Sequence, residues 1–143
     1  MPQNLVLICD DVEDNRVVFK AVLEFGGFGV LAARDGAEGV ESARAHTPSI
    51  ILMDLMMPGT DGWQAIAQLR SDPITSGIPV VAVSADVSVS ADALERAGFC
   101  AFVAKPILPR QLLDAVQRCL AQHAAGSWIK LPAYTPDAPL SVG

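Results

Sequence analysis

Short apolar runs alternate along this chain with segments that repeat their apolar residues at helical spacing. "LVLIC" (5–9) is followed by "DNRVVFKAVLEFGG" (14–27), where Val17, Val18, Ala21, Val22 and Phe25 recur with the helical period and two glycines end the pattern. "FGVLAA" (28–33) predicts a second strand, and "DGAEGVESARAH" a weakly amphipathic helix closed by Pro48. The third strand is 50–53, and a helix over 62–70 turns Trp63, Ile66 and Leu69 inward. "IPVVAVS" (78–84) is the fourth strand, with its proline near the start, where no ladder donor is missed. "SADALERAG" gives a short helix ended by Gly98, and "CAFVA" (100–104) a fifth strand. The last helix is 109–122, with Leu112, Leu113, Val116, Cys119 and Leu120 on one stripe.

Five strands alternating with five helices form the pattern of parallel βαβ units. The strands are continuously apolar instead of alternating, which marks a sheet covered on both faces. Right-handed crossovers then give a doubly wound, three-layer α/β domain. From His123 the period disappears, so residues 1–122 are read as the domain and 123–143 as a C-terminal tail or linker. That tail carries Trp128, Ile129, Leu131 and Tyr134, more apolar than a solvated linker requires. A plain flexible end and a segment packed on its own domain or on another chain are both open.

Length and composition narrow the possibilities. The chain has 143 residues, enough for one domain with a proper core, and 51% of them are hydrophobic, which excludes general disorder. The apolar stretches are too short to cross a bilayer and no leader pattern is present, so the expectation is a cytoplasmic protein without membrane contact. A net charge of −6 argues against DNA binding. Cys9, Cys100 and Cys119 lie among apolar neighbours without metal-ligand spacing and are read as buried free thiols. His46 and His123 lie away from the strand ends and are read as inert.

The chemistry gathers where strands end. Asp10 and Asp11 follow the first strand, Asp54 the third, Ser84 the fourth and Lys105 the fifth. Open parallel sheets bind ligands at their carboxyl edge, near the switch in strand order. With an order of 2-1-3-4-5, the first and third strands are neighbours and three acids meet at one mouth. Crowded carboxylates need a cation, and all-oxygen ligation without histidine or cysteine favours Mg²⁺ over zinc. A carboxylate beside Mg²⁺ and a lysine is also a workable nucleophile for a phosphoryl group, and Asp54 is the best placed of the three.

"CDD", "MDLMMPGTDG", "VSA" and "AKP", in that order and spacing, resemble the receiver domain of two-component response regulators over about residues 4–122. The resemblance implies a flavodoxin-like, CheY-like fold of order 2-1-3-4-5. It implies that Asp54 is the phosphoacceptor, taking a phosphoryl group from a phosphohistidine on a sensor histidine kinase or phosphotransfer protein. Asp11 then binds Mg²⁺ directly, Asp10 acts through metal-bound water, and Met56 offers its backbone carbonyl to the metal. Lys105 pairs with the phosphoryl oxygens, and Pro106 matches the family's cis proline. Ser84 and Phe102 take the switch positions, although Phe102 on the fifth strand has a plain core reading as well. Ala85 is small enough to leave the phosphoryl group accessible. Partner binding or homodimerisation is expected on the face of the fourth helix, fifth strand and fifth helix. Val12 and Met56 depart from the more polar residues common at their positions, which bears on phosphoryl lifetime.

The rival reading is an enzyme, a Mg²⁺-dependent phosphatase of the haloacid dehalogenase type. Such an enzyme wants a second aspartate two residues after the nucleophile, where this chain has Met56. No GxGxxG follows the first strand, so a dinucleotide-binding module is weaker still. The expectation is therefore a non-enzymatic receiver without an effector domain, acting alone or excised from a hybrid kinase, with the initiating methionine favouring the first.

Overall fold

The computed structural model describes residues 4–122 and 128–131. The elements run β1 (Leu5–Cys9), α1 (Glu13–Phe25), β2 (Gly29–Ala33), α2 (Gly36–His46), β3 (Ile50–Asp54), α3 (Gly62–Ser71), β4 (Val80–Ser84), α4 (Ala91–Ala97), β5 (Ala101–Ala104) and α5 (Pro109–Gln122). The five strands form one parallel sheet in the order β2-β1-β3-β4-β5. Register is continuous across the centre, with Cys9 opposite Met53 and Asp54 opposite Val83.

Successive strand residues point to opposite faces, and the core divides accordingly. Leu7, Ile51, Met53, Val80 and Ala82 face α2, α3 and α4, where Ala43, Ile66, Leu69 and Leu94 meet them. Val6, Ile8, Ile50, Leu52, Val81 and Val103 face α1 and α5, where Phe19, Leu23, Leu112, Val116 and Cys119 meet them. Both faces of β1, β3 and β4 are thus covered, as their unbroken apolar runs require.

The helix ends show why the chain changes direction where it does. The Asp35 carboxylate accepts the Glu38 N–H at 2.8 Å and starts α2. Asp61 and Gln64 form a reciprocal capping box that starts α3. Ser90 caps α4, and Gly98, at φ 108°, ends it in the left-handed conformation that glycine adopts without penalty.

One helix packs differently from its expected stripe. In α1 the residues taken inward are Phe19 and Leu23, with Val22 half-buried, while Val17, Val18 and Phe25 are exposed. Apolar residues occupy much of the α1 circumference, so two stripes compete, and the bulky Phe19–Leu23 pair at i, i+4 fills the space against β1, β2 and α5. Strand bounds also tighten: β4 begins at Val80 and β2 at Gly29.

Candidate functional site at the carboxyl edge of the sheet

Three carboxylates meet at the β1–β3 mouth. Oxygens of Asp10, Asp11 and Asp54 lie within 4.8 Å of one another, with Asp10 and Asp54 buried and Asp11 exposed. The cause is the register: parallel β1 and β3 end side by side, so residues after Cys9 and Met53 emerge at one level. The set is all-oxygen, open on the Asp11 side, and suits a hard divalent cation. The Met56 side chain is exposed at the same rim. A thioether there has no proton to give, so the residue two positions after Asp54 supplies no general acid.

Each buried carboxylate is held by backbone and side-chain donors. Asp10 Oδ1 accepts the Val12 N–H at 2.9 Å, and the Asn15 amide lies 3.3 Å from Oδ2. Arg16 donates to the Asp10 carbonyl at 2.8 Å. This local network replaces a side-chain cap at the start of α1, whose N-cap residue is Val12. Asp54 Oδ1 accepts the Met56 N–H at 3.0 Å.

Lys105 joins the two acids. Its Nζ lies 2.9 Å from Asp54 Oδ2 and 3.0 Å from Asp10 Oδ2, across a side chain only 18% exposed. The Lys105 N–H donates to the Ser84 carbonyl, and the Lys105–Pro106 peptide is cis. Burial works against the ammonium, but hydrogen bonds and charge from Asp54 and Asp10 outweigh it and raise the Lys105 pKa above its usual value. Asp54 behaves differently. Burial pushes its carboxyl above the usual range, and the donors Lys105 and Met56 offset this only in part.

Ser84 is fully buried at the end of β4, and its Oγ accepts the Asp86 N–H at 3.0 Å. Beside it opens a cleft of about 520 Å³, lined by Met56, Met57, Trp63, Ser84, Asp86 and Val89 among others. Ala85, the next residue, is exposed. Phe102 lies half-buried on β5 against the α3–α4 side of the core, one layer away from the mouth. Asp10, Asp11, Asp54 and Lys105 are therefore brought together, Ser84 and Met56 border them, and Phe102 stands apart. His46 is exposed, while His123 and Tyr134 lie outside the described residues.

Several residues that shape the site carry no obvious signal in the sequence. Asn15 and Arg16 read as ordinary helix-surface residues, yet they grip Asp10. Gly62 reads as part of a turn. In the fold, a Cβ at that position would stand 2.6 Å from the Asp54 carbonyl and 2.8 Å from the Leu55 Cα. Its smallness lets α3 start against the end of β3.

Comparison with known proteins covers this same framework. The family model for the response regulator receiver domain matches residues 6–117. Protein PilH of Pseudomonas aeruginosa is 38% identical over 117 residues, spanning 81% of this chain and 97% of PilH. The polar-differentiation response regulator DivK of Brucella anthropi is 32% identical over 121 residues, spanning 84% of this chain and 98% of DivK. Among solved structures, a putative response regulator from Chloroflexus aurantiacus superposes with a TM-score of 0.77 at 28% identity, covering 85% of this chain and all of that one. The N-terminal domain of a response regulator receiver protein from Methanoculleus marisnigri gives 0.67 at 31% identity, covering 82% of this chain and 97% of that one. The match takes in the sheet from Val6 onward and every residue of its acidic mouth, and by it this chain belongs to the response regulator receiver family.

Proposed function

We propose that this chain is a phosphoacceptor receiver in a two-component phosphorelay, with residues 1–122 as the receiver and 123–143 as an appended tail. The observation that carries this reading is Lys105, bridging Asp54 and Asp10 at 2.9 and 3.0 Å inside a group of three carboxylates. Such an arrangement holds one carboxylate oxygen ready for an electrophile and a cation ready for that electrophile's charge.

Asp54 is the nucleophile. Its bond to phosphorus forms as the P–N bond of a phosphohistidine on a histidine kinase or phosphotransfer protein breaks, and the electron pair leaves with the imidazole. Asp10, Asp11, Asp54 and the Met56 carbonyl would hold Mg²⁺, which when bound neutralises the crowded carboxylates and phosphoryl oxygens. Lys105 exchanges its Asp54 contact for a phosphoryl oxygen. Ser84 follows Val83, the register partner of Asp54, and is the hydroxyl drawn toward the transferred group. Ser84 leaves its contact with the Asp86 N–H as it turns to the phosphoryl group. That leaves room for the half-buried Phe102 to turn further inward, biasing partner contacts or homodimerisation on the α4–β5–α5 face.

No substrate turnover is assigned. Met56 lacks the proton donor that a haloacid-dehalogenase-type phosphatase carries two residues after its nucleophile, and it bears on the lifetime of the acyl phosphate. The protein is read as a cytoplasmic signalling component; among the described residues no helix is long and apolar enough to cross a membrane. Acetyl phosphate tests the proposal: label should enter only with Mg²⁺ and Asp54 intact. Uptake by an Asp54→Asn variant at the unsubstituted level would sink it.

A further inference from the structure

Past α5 the chain returns to the sheet. Residues 128–131 meet the chain at Cys100, just before β5, which the topology leaves as an edge strand. The Ile129 N–H donates to the Cys100 carbonyl at 2.7 Å, a main-chain bond between segments distant in sequence, of the kind a further strand would make. Side chains follow the same logic. Ile129 is buried and Leu131 half-buried against the α1–α5 side of the core, whereas Trp128 packs against the α2–α4 side and Lys130 is exposed. Three of the four side chains, Trp128, Ile129 and Leu131, thus reach both halves of the core.

We propose that Trp128–Leu131 is a strap that occupies the β5 edge as an intramolecular ligand, holding a site for an extended apolar segment of another protein. An exposed edge strand is a template for pairing, and proteins cover such edges. Here the cover is tethered: five residues separate it from α5 in sequence, so its effective concentration is high and a partner segment must displace it. The recognition chemistry is specific, requiring one main-chain donor for the Cys100 carbonyl, two apolar side chains for one face and an aromatic for the other. The location also matters. Phe102 shares the cluster that seats Trp128, and β5 (Ala101–Ala104) is all that separates Cys100 from Lys105.

The test uses the full chain with Trp63→Phe, so that Trp128 alone reports. Acrylamide should quench Trp128 several-fold less than it quenches N-acetyltryptophanamide, without Mg²⁺ or phosphorylation, and Ile129→Asp should remove that shielding. The peptide acetyl-Trp-Ile-Lys-Leu-amide should then shift the amide resonances of Cys100–Ala104 in the Ile129→Asp chain and leave them in place when Ile129 is intact. If Ile129→Asp fails to fold, Leu131→Ser serves the same comparison. Full quenching of Trp128 in the intact chain overturns the strap. Peptide shifts that are absent at millimolar peptide in a folded variant, or equal in both chains, overturn the docking site. Neither arm depends on Asp54, so loss of phosphoryl uptake would leave this result standing.

Discussion

Replacing Lys105 with Met removes the cation that two buried carboxylates share. The Asp10 and Asp54 side chains are 2% and 6% exposed, and the lysine only 18%. Breaking a buried pair by deleting one partner costs about 3–5 kcal/mol, because the remaining charge stays desolvated. The mouth is open on the Asp11 side, so the lower end applies, about 3 kcal/mol at neutral pH without Mg²⁺. For a domain of this size that lowers Tm by about 10 °C. The pH dependence identifies the cause. Burial already raises the Asp54 pKa above 3.8, and losing Lys105 raises it further. A carboxyl whose folded pKa is raised binds its proton more tightly when folded, so it costs stability as pH rises from its unfolded value through its folded one. The Lys105→Met deficit should therefore be small near pH 3.5 and grow toward neutrality. On the alkaline side the unsubstituted protein behaves in the opposite sense. Lys105 has a raised folded pKa, so its contribution is present below 10.5 and fades as pH climbs through that raised value. Adding Asp54→Asn to Lys105→Met should recover about 1–2 kcal/mol, since one uncompensated charge is gone. Urea denaturation across pH 3.5–8 measures all of this. A deficit under about 0.5 kcal/mol at pH 7, or one independent of pH, would refute the argument.

Other perturbations separate the parts of the site. Asp11→Ala should weaken Mg²⁺ binding at least about tenfold by calorimetry while Lys105→Met retains it, because the exposed acid is the open donor of the group and the lysine opposes the cation. Gly62→Ala drives a methyl into the Asp54 carbonyl and the Leu55 backbone, costing about 1–3 kcal/mol and slowing phosphoryl uptake beyond the loss of folded protein. Arg70→Met removes the guanidinium that donates to the carbonyls of Ser76, Ile78 and Gly98. It should cost about 2 kcal/mol in urea and loosen hydrogen exchange around α4 and the start of β5, while uptake at Asp54 persists.

How far the chain could be read in advance follows from which forces act locally. Five strands were legible because burial on both faces demands continuous apolar runs, and "IILMD" and "VVAVS" have few other uses. The strand-end acids were legible because a charge directly after such a run has to be at the edge of the sheet. The α1 face was not, since Val17, Val18 and Phe25 match the helical period as well as Phe19 and Leu23 do, and only packing against β1, β2 and α5 chooses between them. Arg16 on the Asp10 carbonyl, and Arg70 on carbonyls up to 28 positions away, depend on tertiary approach that no local pattern encodes. Trp128 and Ile129 lay between, their apolarity visible and their seat on β5 not.

The claim that most depends on all of this is that the phosphoryl group resides on Asp54. Borohydride reduction of the acyl phosphate after exposure to acetyl phosphate and Mg²⁺, followed by peptide mapping, tests it directly. The account predicts homoserine at position 54, with Asp10 and Asp11 recovered intact and no product when Mg²⁺ is chelated. Homoserine at position 10 or 11, or equal product without Mg²⁺, would contradict it.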